Sequence, residues 1–139
     1  MDFNSHMKNT AYLDKAADVR MMFFSENGFP TAEFNRLRIG PVVMKDEVEY
    51  FREIGLHEAI RVTFSLTAMA EDGSRFEIRN EFYRGDGKRA ARVTSAGGWF
   101  DLSARKLVAP PERLLNALRS APRADGFRVL SPSIRARGG

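Results

Sequence analysis

The period of the hydrophobic pattern changes once along the chain, and this change constrains the fold more than any other feature. Over residues 9–28, apolar and small side chains recur at helical spacing; Asn9 or Thr10 can cap the helix, and Gly28 can end it. Over residues 60–68, apolar and polar side chains alternate, which is typical of a strand with one buried face. The pattern therefore predicts one long helix followed by a sheet.

Two glycine-bearing turns divide the second half of the chain into further strands. The Asp-Gly pair in residues 71–74 is a hairpin signal, and residues 84–88 supply the second turn. Strands are predicted for residues 75–83 and 89–102, and the pair Gly97-Gly98 marks a bend or bulge. Short turns join antiparallel neighbours, so we expect an α+β fold with the helix packed on one face of the sheet.

Three remaining segments complete the predicted organisation. Residues 28–41 are interpreted as a connection with short extended pieces, and residues 112–120 as a closing helix that follows a proline pair. From Arg119 onward, five arginines face one aspartate, which accounts for the whole net charge of +4. We therefore predict a domain over residues 1–120 and a basic C-terminal tail over residues 121–139. One phenylalanine among scattered arginines favours a solvated tail over a nucleic-acid-binding surface.

The composition excludes several classes of protein. The absence of cysteine excludes a disulfide scaffold, a thiol nucleophile and thiolate zinc sites. With two histidines, His6 and His57, a three-histidine metal site is impossible within one chain. A mixed histidine–carboxylate site is formally open but has no supporting spacing, so we predict no metal. No apolar run approaches the roughly 20 residues of a membrane span, and the first residues lack the basic-then-apolar build of a signal peptide. We therefore predict a cytoplasmic protein without a membrane or nucleic-acid partner.

The first nine residues contain the densest group of chemically active side chains. Asp2, His6 and Asn9 precede Tyr12 and Leu13 in the pattern D-x-x-x-H-x-x-N-x-x-Y-L. This pattern resembles the start of hotdog-fold acyl-CoA thioesterases, in the branch typified by 4-hydroxybenzoyl-CoA thioesterase. The resemblance covers roughly residues 2–115 and continues through Arg20, Phe23, residues 40–43, Tyr50 and residues 110–112.

The resemblance implies a fold, an assembly and a substrate. The hotdog fold is a long helix wrapped by an antiparallel β-sheet, and its thioesterases form homodimers or homotetramers with active sites at subunit interfaces. The implied substrate is an acyl-CoA, and no separate cofactor is expected because coenzyme A is part of the substrate. Relatives have a strand ahead of the motif, so we expect a sheet that lacks or truncates this first strand, or a sequence that begins downstream of the natural start.

The resemblance also assigns roles around the helix start. Asp2 corresponds to the carboxylate that attacks the thioester or activates water. His6 and Asn9 position the thioester or the water, although Asn9 is independently explained as a helix cap. The backbone N–H groups near Asn9 and Thr10 would stabilise the oxyanion, and Tyr12 would line the acyl pocket. Considered alone, Tyr12 is better explained as a core residue than as a pocket residue.

Coenzyme A carries phosphates, so basic side chains near hairpin tips are candidates for binding it. These candidates are Arg75, Lys88, Arg89 and Arg92. For each of them, an ordinary charged strand surface is at least as good an explanation. We therefore predict an acyl-CoA thioester hydrolase. The alternatives are a non-catalytic acyl-CoA-binding hotdog protein and a hotdog enzyme that acts on acyl carrier protein thioesters.

Overall fold

The computed structural model describes residues 9–55 and 58–132, apart from the side chain of Asn9. The helices within these ranges are α1 (Asn9–Glu26), α2 (Thr31–Leu37) and α3 (Glu112–Arg119). The strands are β1 (Ile39–Tyr50), β2 (Ile60–Val62), β3 (Ser65–Ala70), β4 (Arg75–Arg84), β5 (Arg89–Asp101), β6 (Lys106–Val108) and β7 (Arg123–Leu130). Within the described residues, none of these helices combines the length and the hydrophobicity that a membrane-spanning segment needs.

One face of α1 is buried against the sheet. Its buried positions are four residues apart, as expected of a helical stripe, and they are Tyr12, Ala16, Arg20 and Phe24. The ring centroid of Tyr12 lies 5.1 Å from that of Phe82 on β4. The ring of Phe24 lies 5.6 Å from that of Trp99 on β5. Gly28, with a φ of 91°, follows the helix, as the sequence predicts.

The seven strands form one open sheet. Its order is β1-β5-β4-β3-β7, with β2 beside β4 and β6 beside β5. All pairings are antiparallel except that of β7 with β3. We call the face that contacts α1 the inner face and the opposite one the outer face. This architecture confirms the predicted α+β class, with a long helix on one face of a largely antiparallel sheet.

β1 and β5 approach each other closely at a β-bulge. The register between the two strands shifts between Val43 and Lys45 of β1. Opposite the bulge, a Cβ atom on Gly97 would lie 2.0 Å from the carbonyl oxygen of Val42, so glycine is required for the close approach. The irregularity predicted at the glycine pair is therefore present, and the extra residue lies in β1 rather than in β5.

The connection expected between α1 and β1 contains a helix instead of extended pieces. α2 places Phe34 in the core, where its ring centroid lies 4.6 Å from that of Phe29 and 6.0 Å from that of Trp99. Arg38 then adopts a left-handed conformation with a φ of 55°, which ends the helix. The burial of one aromatic ring thus overrides a sequence that has little helical periodicity.

The segment interpreted as a solvated tail contains a strand. β7 lies at the edge of the sheet beside β3, and its half-buried side chains are those of Ala124, Phe127 and Leu130. Phe127 packs against the main hydrophobic core. The described part of this segment, which ends at residue 132, therefore contributes to the sheet.

Candidate functional site

The site predicted from sequence lies partly outside the described residues. Asp2 and His6 fall in residues 1–8, and His57 falls in the gap at residues 56–57. Asn9 is the first residue of α1, and its side chain is not described. Their catalytic roles therefore stay predictions, and the geometry that can be described is the start of α1 and its surroundings.

The start of α1 supplies backbone N–H donors, and no acidic side chain lies in the described first turn. The first four N–H groups of an α-helix, those of residues 9–12 here, have no acceptor within the helix. The first turn contains no acidic residue, and Thr10 is exposed. A developing negative charge at this end would meet both these donors and the positive end of the helix dipole.

Tyr12 anchors this end of the helix in an aromatic cluster. It is 2% exposed, and its ring lies edge-on to Tyr50 of β1, with centroids 5.5 Å apart, as well as to Phe82. Burial raises the pKa of Tyr12, and the proximity of Tyr50 raises it further. Burial also raises the pKa of Tyr50, although half of that side chain is exposed. Both phenols therefore stay neutral near pH 7, and the pair extends from the core to the surface.

Arg89 and Arg92 lie on the outer face at the same end of the sheet. Nη1 of Arg89 donates to Oε1 of Glu81 at 2.8 Å, and its guanidinium carbon lies 4.4 Å from the ring centroid of Phe51. Arg92 reaches Glu81 at 3.5 Å and Glu49 at 3.6 Å. The two guanidinium groups are thus paired with carboxylates and are separated from Tyr12 by the sheet.

Lys88 and Arg75 lie at opposite ends of the sheet. Lys88 is exposed in the β4–β5 turn and forms no ion pair with any residue that the structure describes. Arg75 begins β4 opposite Gly98, and its Nη1 donates to the carbonyl oxygen of Ser131 at 3.2 Å. At about 3.3 Å per residue, the length of β4 separates Arg75 from the turn by roughly 30 Å. The structure therefore brings Lys88, Arg89 and Arg92 together and leaves Arg75 apart.

A buried arginine beneath α1 was not among the predicted site residues. Arg20 is 8% exposed, and within the described residues its Nε has no hydrogen-bond partner. Burial lowers the pKa of Arg20, and the nearby carboxylate of Asp46 opposes this shift. Asp46 itself accepts a 2.6 Å hydrogen bond from Oγ of Ser95. The sequence could have indicated its burial, because Arg20 lies eight residues after Tyr12 and therefore on the same buried stripe of α1.

The structure has the architecture of a hotdog fold, in which a long helix packs against a largely antiparallel sheet. The start of this helix is held among aromatic side chains. The sequence model of the thioesterase-like superfamily matches residues 1–118. The chain therefore belongs to the thioesterase-like superfamily, as the resemblance in the sequence predicts. A comparison with curated protein sequences finds no match.

Solved structures of low sequence identity share the fold. A Staphylococcus aureus protein in complex with CoA is 20% identical, covers 89% of this chain and 80% of its own, and gives a TM-score of 0.77. A 1,4-dihydroxy-2-naphthoyl-CoA thioesterase from Synechocystis is 13% identical, with 86% and 88% covered and a TM-score of 0.74. A gentisyl-coenzyme A thioesterase is 17% identical, with 86% and 91% covered and a TM-score of 0.73. These similarities confirm the hotdog fold, whereas the 4-hydroxybenzoyl-CoA branch stays a prediction.

Proposed function

We propose that the chain hydrolyses acyl-CoA thioesters, with Asp2 as the essential carboxylate. The observation that carries the proposal is the match to the thioesterase-like superfamily over residues 1–118, which spans both the motif and the helix start. The position of Tyr12 between Tyr50 and Phe82 supports it, because this packing fixes the first turn of α1 beside the motif. Such fixed donors are what an oxyanion site requires.

In the proposed reaction, Asp2 either attacks the thioester carbonyl or removes a proton from the attacking water. When Asp2 attacks, the C–S bond breaks and the acyl group stays on Asp2 as a mixed anhydride, which water then hydrolyses to the free acid. When water attacks, the C–S bond breaks and the free acid forms directly. In both routes CoA leaves as the thiol, and its proton comes from the water that is consumed. His6 and Asn9 orient the thioester or the water, and the backbone N–H groups from Asn9 and Thr10 onward stabilise the oxyanion. Removing a donor from an oxyanion site typically costs about 3–4 kcal/mol. Proton transfer and hydrogen bonding suffice for this chemistry, so the proposal includes no resident cofactor or metal.

We propose an aromatic or apolar acyl group, bound against the exposed ring of Tyr50, which packs on the buried ring of Tyr12. The two rings form an edge-on pair whose exposed member can contact a planar group from solvent. Two of the similar structures are thioesterases for 1,4-dihydroxy-2-naphthoyl-CoA and gentisyl-CoA. Both of these acyl groups are aromatic, which supports the same class here, and 4-hydroxybenzoyl-CoA is the first substrate to test.

Among the basic candidates, Lys88 is best suited to bind CoA phosphates. Arg89 and Arg92 are already paired with Glu81, so a phosphate would compete with a carboxylate for them. Lys88 is exposed and forms no ion pair among the described residues. Arg75 lies at the other end of the sheet, and it could contribute only if a second copy brings it near.

A homodimer formed along β1 would complete the assembly. Of the strands that the structure describes, only β5 pairs with β1, so the other edge of β1 offers its backbone groups to a second chain. Met44 and Tyr50 of this strand are 56% and 50% exposed. Pairing along β1 would place both side chains beside the subunit interface, where the ring of Tyr50 could still contact an acyl group. Two such dimers would form a homotetramer.

The direct test is release of free CoA thiol from a panel of acyl-CoAs, including 4-hydroxybenzoyl-CoA and a saturated acyl-CoA. We expect turnover by the chain and a loss of about 10²-fold or more in Asp2→Asn, with an unchanged thermal unfolding curve. Asp14→Asn is the matched control, because it removes an exposed carboxylate from the first half of α1.

Two outcomes would overturn the hydrolase proposal. Binding of acyl-CoA without thiol release would identify a non-catalytic acyl-CoA-binding protein. Thiol release only from acyl carrier protein thioesters would identify the carrier as the substrate. Sedimentation equilibrium of the same preparation tests the assembly, and a monomer at all concentrations would exclude the β1 dimer.

A further inference from the structure

We propose a second binding site, for small aromatic carboxylates, in a cleft along β7. The cleft has a volume of about 270 Å³ and lies between the end of β3, the end of α3 and β7. Its principal lining residues are Met69, Glu71, Arg119, Arg123, Phe127 and Val129. We call it the β7 cleft. It lies at the end of β3 away from Tyr12, and its argument is independent of the proposed hydrolase.

The β7 cleft exists because β7 arches away from its neighbour. Leu66 of β3 pairs with Arg123, whereas Ala68 pairs with Arg128. β7 therefore uses three more residues than β3 to cover the same distance. Gly126, with a φ of 76°, lies within this arch, where few other residues adopt that conformation without strain. The arch is thus specified by the sequence and opens a space at the edge of the sheet.

Two guanidinium groups in the β7 cleft have no carboxylate partner among the described residues. Nη2 of Arg119 donates only to the backbone oxygen of Glu71, at 3.3 Å. The guanidinium carbon of Arg123 lies 4.3 Å from the ring centroid of Phe127. By contrast, Arg128 of the same strand pairs with Glu77 at 2.7 Å. Two positive charges therefore face one negative charge, that of Glu71, in the lining of the cleft.

These features select an anion with a flat apolar body. A guanidinium group binds a carboxylate through two parallel hydrogen bonds and also stacks on aromatic rings. Met69 and Val129 supply apolar walls beside the two arginines. Drug-sized ligands occupy pockets of about 300 Å³ or more, so this smaller cleft suits a single ring. Benzoate is the simplest compound of this class.

The test is a titration of the full chain with benzoate, followed by isothermal calorimetry and by amide chemical shifts. We expect saturable binding that weakens by about tenfold or more in Arg119→Gln and in Arg123→Gln, because each variant removes a charge-assisted hydrogen bond. Arg128→Gln is the matched control, since it removes the same charge from β7 outside the cleft. Its affinity should stay within about twofold of the wild type.

Two further probes separate recognition of the ring from recognition of the charge. Benzamide retains the ring without the charge, and inorganic phosphate retains charge without the ring; both should bind at least about tenfold more weakly than benzoate. Equal binding of phosphate would reveal only an adventitious anion site and would overturn the proposal. Benzoate binding that is unaffected by both arginine variants would place the ligand elsewhere. Either result leaves the Asp2 experiment unaffected.

Discussion

The two edges of the sheet are held in different ways. β1 pairs with β5 from Ile39 to Tyr50, with one bulge, and both strands approach closely at Gly97. β7 pairs with β3 at Arg123 and again from Arg128 to Leu130, and it arches away between these points. The β1 edge is thus a continuous, precisely registered surface, whereas the β7 edge contains a gap. This difference suits β1 to strand pairing with a second chain and β7 to a small ligand.

Of the variants at the two edges of the sheet, Gly97→Ala is expected to be the most destabilising. The added methyl group would lie 2.0 Å from the carbonyl oxygen of Val42, and backbone cannot move as readily as a side chain. We expect a loss of about 2–3 kcal/mol in the free energy of unfolding, measured in urea. Gly40→Ala on β1 is the control, because its Cβ would have no neighbour within 4 Å. Equal stability of the two variants would mean that the β1–β5 contact is not close.

A smaller loss is expected from Phe127→Ala on β7. Phe127 is only partly buried against the core, so its replacement should lower the free energy of unfolding by about 1–2 kcal/mol. Replacing a fully buried phenylalanine with alanine costs roughly 3–5 kcal/mol. Phe82→Ala, at a position with 0% exposure, provides that reference in the same urea experiment. If both variants lose the same stability, β7 is held as firmly as the interior strands.

The same contrast explains how far the sequence could predict the fold. α1 and the hairpin strands were predicted because their burial has a regular period. β7 was missed because its half-buried residues, Ala124, Phe127 and Leu130, are three apart, not two. The arch around Gly126 removes the alternation by which a strand is recognised. α2 was missed because one ring, that of Phe34, stabilises it through tertiary contacts.

The candidate site was predicted in part for similar reasons. Tyr12 was found through the motif, but its contact with Tyr50 joins residues far apart in sequence. Arg89 and Arg92 are three residues apart and would point to opposite faces of a regular strand. Both nevertheless reach Glu81, because the register shifts beside them and leaves Ala90 as an extra residue. The pairing of both arginines with Glu81 can therefore be recognised only once the register between β4 and β5 is known.

The contact between Tyr12 and Tyr50 at the end of β1 predicts that the protein loses stability at alkaline pH. Burial and Tyr50 raise the pKa of Tyr12, so the folded protein keeps the phenolic proton to higher pH than the unfolded chain does. This contribution to stability is complete below about pH 10, the ordinary pKa of the group, and is lost as the pH rises through the folded-state pKa.

Tyr12→Phe keeps the buried ring and removes the titration, so it tests this dependence directly. Urea unfolding between pH 8 and pH 11 should show stability that falls above about pH 10 in the wild type and falls less steeply in the variant. An identical slope in both proteins would show that Tyr12 is not the group responsible. Tyr50→Phe should reduce the slope as well, because burial also raises the pKa of Tyr50.

The smallest effect is expected from Arg128→Gln at the β7 edge. The ion pair of Arg128 with Glu77 is 2.7 Å long, but 58% of the arginine side chain is exposed. Exposed ion pairs contribute about 0.2–1 kcal/mol, and salt weakens them further. We therefore expect a loss of less than about 1 kcal/mol that shrinks between low salt and about 1 M salt, measured by urea unfolding. A larger loss that persists in salt would mean that this single pair fastens β7 to the sheet, and the two edges would then be more alike than their hydrogen bonding indicates.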